Sequence, residues 1–138
     1  MIPENSPLLA AISPYEQSDV LTSTNLTYSF SSAGIVIPDA DVTGDRTTLA
    51  WSETQKDFVR DLYAYISTLV NLNFTEVDAG DGVNFTFHQV TDFTDGTAGY
   101  QEPTGDQTSV LVIPTEFIAY DDVTLIHEIG HGLALSHP

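Results

Sequence analysis

The chain has 138 residues, is 41% hydrophobic, and carries 20 acidic against 3 basic residues, for a formal net charge of −17. That length is one domain's worth of chain, enough to bury a core, while so negative a charge repels phosphate backbones and anionic lipid surfaces and argues against nucleic-acid and membrane partners. With no cysteine in the chain there is no disulfide framework, thiol nucleophile or thiolate metal site, so any metal must be held by His and carboxylate.

In chain order, residues 1–24 are rich in Pro, Ser, Thr and Asn and read as an extended lead-in to a single domain spanning 1–138. The start, Met1 to Pro7, lacks the basic region of a signal peptide, and no apolar run approaches the roughly 20 residues of a membrane span. Leu26-Thr27-Tyr28-Ser29-Phe30 alternates apolar and polar and predicts a strand. The following segment, with Gly34, Pro38 and the acidic run Asp39 to Asp45, reads as a loop. Asp39, Asp41, Thr43 and Asp45 put oxygens at alternate positions around Gly44, like the first half of a calcium loop, although the twelfth position is Ala50 and solvated turns explain the pattern equally well.

Ser52 and Gln55 form a capping box, and Phe58, Leu62, Ile66 and Leu69 mark the apolar stripe of a helix at about 53–71 that packs on a sheet. Val83–Phe87 alternates again and predicts a second strand, ended by His88, which is expected to be structural or exposed. Thr91–Thr108, with three glycines, a proline and four acids, reads as a long loop, for which an ordinary surface loop and a functional one fit equally well. Val110–Ile113 is a short apolar strand stopped by Pro114, and a second helix is expected at about 121–134, opened by Asp121 and Asp122.

The chemistry-bearing stretch comes last: His127-Glu128-Ile129-Gly130-His131, followed by His137. Histidines four apart on a helix lie about 40° apart around the axis, so His127 and His131 can reach one metal ion, the zinc pattern H-E-x-x-H. Glu128 falls about 100° round the axis from His127, where its carboxylate can act on a water without being a ligand. His137 would lie about 240° from His131 on an unbroken helix. It can join them only if the chain turns.

H-E-x-x-H with a turn and a third histidine is the metzincin arrangement, and H-E-I-G-H with L-S-H-P resembles the serralysin branch, secreted bacterial zinc endopeptidases. The Leu26–Phe30 strand and the Asn71–Val77 passage are similar to segments of the same family. The family has glycine three residues after the second histidine, where this chain has Ala134 with Gly132 two residues earlier. The resemblance implies an α+β fold, a metzincin-like upper subdomain with a twisted mixed sheet packed against two long helices at about 53–71 and 121–134. It implies zinc held by His127, His131 and His137, with Glu128 as catalytic base. It also implies a secreted location, a polypeptide substrate pairing with the strand at Val110–Ile113 as the sheet edge, and a methionine turn and calcium-binding repeats beyond the third histidine.

The expected function is thus zinc-dependent endoproteolysis, in which a water activated by the zinc attacks a peptide carbonyl and Glu128 handles the proton. Two other readings stay open: a zinc-binding module without turnover, and a structural or adhesion segment of a larger secreted protein that binds no zinc. No G-x-S-x-G elbow or phosphate-cradling glycine loop competes with the metal site.

Overall fold

The computed structural model describes residues 23–41, 43–94, 99–105, 107–118 and 127–129. In chain order these form β1 (Asn25–Phe30), β2 (Val36–Asp41), β3 (Gly44–Thr47), α1 (Glu53–Leu69), β4 (Asn73–Glu76), β5 (Phe85–Val90), β6 (Tyr100–Gly105) and β7 (Thr108–Pro114). Five strands make one sheet in the order β4-β1-β5-β7-β6, and β2 pairs with β3 as a separate hairpin. The first four run parallel, while β6 returns antiparallel against β7. Parallel neighbours need a crossover, and the hairpin followed by α1 supplies the one from β1 to β4.

The alternation read in the sequence decides which face is covered. Leu26 and Tyr28 of β1, Phe85 and Phe87 of β5, and Leu111 and Ile113 of β7 form one buried cluster with Val59, Tyr63 and Ile66 of α1. Helix α1 starts where the capping box places it. Ser52 N–H donates to Gln55 Oε1 at 2.9 Å, and Gln55 N–H donates to Ser52 Oγ at 3.2 Å. The helix ends at Val70, whose extended backbone (φ −133, ψ 158) still donates its N–H to Ile66. Tyr63 lies at the centre of the interface, with ring centroids 4.4 Å from Phe74 and 4.5 Å from Tyr28. On the other face Val90 and Val112 meet Phe93, with Ile37, Ala40 and Tyr100 packed beside them.

Two buried polar groups tie separate parts of the chain together. Gln89, 2% exposed, accepts from Gln55 Nε2 at 2.9 Å and from Thr115 Oγ1 at 3.0 Å, and donates to the Ala50 carbonyl at 2.9 Å. The capping residue of α1 is thereby linked through β5 to the turn that follows β7. The Asp41 carboxylate is paired with Arg46 and accepts from both the N–H and the hydroxyl of Thr94 at 2.9 Å, which fastens the hairpin to the segment after β5. Each bond satisfies a group that would be costly to bury alone.

Several expectations need correction. The α+β arrangement with a metzincin-like upper subdomain, a sheet against two long helices at about 53–71 and 121–134, does not hold. Strand accounts for 43% of the structure and among the described residues there is one helix of seven or more. Of the second expected helix, residues 121–126 and 130–134 lie outside the described residues, and the described part, His127–Ile129, is helical. The sheet content is higher because two segments expected to be loops are paired hairpins. The acidic segment forms β2 and β3, and the 91–108 segment contains β6. Val110–Ile113 is not the sheet edge either, since β7 lies between β5 and β6. An edge strand paired on one side only, with Glu102, Pro103 and Thr104 exposed, needs no apolar alternation, so Gln101–Thr104 gave no strand pattern. Of the lead-in, residues 1–22 lie outside the described residues, and Thr24 accepts from Asn73 N–H at 2.8 Å.

His88 sits within β5 rather than at its end, half-buried, with Nδ1 2.8 Å from Ser31 Oγ. Burial holds its pKa below the usual 6.5.

Two outcomes test this packing. Phe87→Ala, at a fully buried position, should lower unfolding stability by about 3–5 kcal/mol in urea titration with unchanged m, against about 1 kcal/mol for the capping change Ser52→Ala. The neutral form of His88 is favoured in the folded state, so the unfolded chain binds more protons as pH falls. Stability is therefore whole above about pH 6.5 and declines as pH drops through that value toward the lower folded pKa. Chemical denaturation at a series of pH values should show this decline in the parent and its loss in His88→Gln. The contribution of Glu76, whose pKa Arg60 holds below 4.5, falls away only at lower pH.

Candidate metal and catalytic site

β7 runs into a single 3-10 turn, Thr115–Phe117, followed by Ile118, which is fully buried. The chain re-enters the described region as the helical turn His127–Ile129. Ile129, 1% exposed, belongs to the same core cluster as Leu111, Ile113 and Ile118, so the turn is seated against the sheet through this side chain. The 100° step of a helix then sends the preceding residues elsewhere: Glu128 is 7% exposed and His127 is exposed.

Glu128 lies beside the start of β6. A Cβ built on Gly99 would stand 3.8 Å from Glu128 Cγ, and 3.1 Å from both Ile113 Cδ1 and the Val112 carbonyl oxygen. Gly99 itself has φ +138, a conformation that L side chains rarely adopt. Both facts require glycine here. Its missing side chain lets the main chain entering β6 pass close against Ile113 and Glu128. Next to it, Tyr100 is half-buried, and burial together with the Glu102 carboxylate raises its phenol pKa above 10.0.

Of the residues expected from sequence, the structure therefore places Glu128 and His127 on one helical turn, with Glu128 buried beside Gly99 and His127 exposed. His131, His137, Gly132 and Ala134 lie outside the described residues, as do Asp121 and Asp122. Among the described residues no group of three or more His, Asp or Glu is gathered as a metal site. As a donor set, three neutral imidazoles suit zinc, and an exposed His127 beside a buried carboxylate fits the division into ligand and base. In the acidic hairpin, Asp41 is taken up by Arg46 and Thr94, and Asp45 Oδ1 accepts from Asp39 N–H at 2.9 Å.

Sequence reasoning missed Gly99 and the identity of the edge strand. Gly99 is 29 positions from Glu128 and sits in a glycine- and acid-rich stretch that reads as ordinary loop. Only its positive φ and close contacts single it out.

No family model and no curated protein matches the chain. Among solved structures it is similar to one described as "GM1 bound form of the ECX AB5 holotoxin", at 15% identity and a TM-score of 0.38, covering 70% of this chain and 33% of that one. This chain thus spans about a third of that protein's length, and a likeness at that level carries no argument about fold or function.

Proposed function

We propose that the chain provides the site of a zinc-dependent endopeptidase acting outside the cell on extended polypeptides. The observation that carries this reading is the position of Glu128, nearly buried on a helical turn and packed against Gly99 where edge strand β6 begins. The H-E-x-x-H spacing and the resemblance of His127–Pro138 to serralysins support the same reading.

Zinc bound by His127, His131 and His137 would supply Lewis-acid polarisation of the carbonyl and bring the pKa of a water toward about 7. The Glu128 carboxylate would take a proton from the attacking water and deliver it to the departing amine. Seated on a core-anchored turn, it has little freedom to wander from that water. The outer side of β6 would hold the peptide as an added strand, with main-chain bonds giving position. Gly99, having no side chain, would let the start of β6 lie close to that carboxylate.

Elemental analysis after dialysis, beside a casein-type cleavage assay, tests the reading. The parent should retain one zinc and cleave. Glu128→Gln should retain the zinc while turnover falls by about 10²–10⁴. His137→Ala should weaken zinc retention. Zinc retained by a chain that does not cleave would support a binding module without turnover. A chain that retains no zinc would remove the metallopeptidase reading.

A further inference from the structure

Which main-chain groups β6 turns outward follows from the bonding on the far side of β7. Ser109 N–H donates to the Asn84 carbonyl at 2.9 Å, so Ser109 directs its main-chain groups toward β5. The alternation along a strand then turns Val110 and Val112 toward β6. In the β6–β7 pair, Tyr100 stands opposite Val112, Gln101 opposite Leu111, Glu102 opposite Val110 and Pro103 opposite Ser109. Tyr100 and Glu102 are therefore the hydrogen-bonded positions. Gln101 and Pro103 turn their main-chain groups away from β7.

Proline is compatible with this register because its nitrogen, which carries no hydrogen, faces away from the ladder. β6 ends the strand order, and among the described residues no strand pairs with its outer side. An added strand would thus find both a donor and an acceptor at Gln101, and an acceptor alone at Pro103. The register also shifts between Pro103 and Gly105, which bends the edge beyond that point.

We infer, building on the peptidase reading, that a peptide is held along β6 by one complete pair of main-chain bonds at Gln101. The ladder ends at Pro103, and the exposed Glu102 selects a basic side chain opposite it. The peptide runs antiparallel to β6, the pairing in which a single residue can exchange both bonds with Gln101. Glu128 lies at Gly99, two residues before Gln101 and so about 7 Å along the strand at roughly 3.4 Å per residue. The cleaved bond therefore falls on the C-terminal side of the residue held by Gln101. The residue immediately before that anchor stands opposite Glu102, and a chain with net charge −17 favours a cationic occupant there. The residue two before the anchor gives its N–H to the Pro103 carbonyl and receives nothing in return.

The rival explanation is that Pro103 and the adjoining irregularity only keep the edge from pairing with other molecules. A set of ten-residue peptides, each with one lysine and with successive main-chain nitrogens methylated, separates the two. Binding is measured by fluorescence anisotropy to zinc-loaded Glu128→Gln, and cleavage of the same peptides is measured with the parent. Methylation at the anchor and two residues before it should each weaken binding by about two- to tenfold, with no effect at the lysine or further toward the N-terminus. Glu102→Lys should reverse the preference from lysine to glutamate at the residue before the anchor. Pro103→Ala should strengthen binding by about two- to tenfold by restoring a donor. Absence of binding, uniform sensitivity to methylation, or an unchanged preference in Glu102→Lys overturns the inference. Binding in the expected pattern without cleavage would keep it and remove the peptidase reading, whereas cleavage without the pattern would do the reverse.

Discussion

The structure depends on how α1 lies across one face of the sheet. Tyr63 projects from the middle of the helix into a set of rings contributed by β1, β4 and β5, with Phe85 and Phe87 at centroid distances of 6.1 and 5.9 Å in addition to the closer Tyr28 and Phe74. Offset and edge-on pairs of this kind add about 0.5–1.5 kcal/mol each beyond the area they bury. They also fix the order of the strands beneath the helix. A shift of one residue in β1 or β5 would turn its aromatic side chains away from α1.

From that core the arrangement extends to the site without a break in packing. Leu111 and Ile113 of β7 share the cluster with Phe87, and Ile129 joins it from the turn that carries His127 and Glu128. Ile113 also meets Gly99, so one side chain links the core to the start of the edge strand, where Glu128 lies. The Gln55–Gln89–Thr115 bonds add a polar link from the start of α1 to the turn after β7. Glu128 is therefore held by the same apolar packing that stabilises the domain, which is the preorganisation that the proposed role as general base would require.

How far the sequence revealed this depended on what each segment buries. The strand at Leu26–Phe30 and the helix that begins after Ser52 were legible because one face of each meets the core, and a capping box marks the helix start. β6 was not legible. Its Gln101, Glu102 and Pro103 bury little, and its identity lies in main-chain bonds to β7, which no side-chain pattern reports. The acidic hairpin misled for a related reason: aspartates that read as turn or calcium-loop residues include Asp41, buried against one of only three basic residues in the chain. At the candidate site, the helical step predicts that His127 and Glu128 face different ways, and in the structure one is exposed and the other buried. The proximity of Gly99 arises from the return of β6 along β7, a contact across 29 positions that spacing cannot show.

The most direct measurement is mass spectrometry of a peptide digested by the zinc-loaded and metal-stripped chain in water enriched in oxygen-18. The account predicts zinc-dependent cleavage in which each new carboxylate carries one heavy oxygen from a single direct attack by water. Equal cleavage by the stripped chain, or none by the zinc-loaded one, would contradict it.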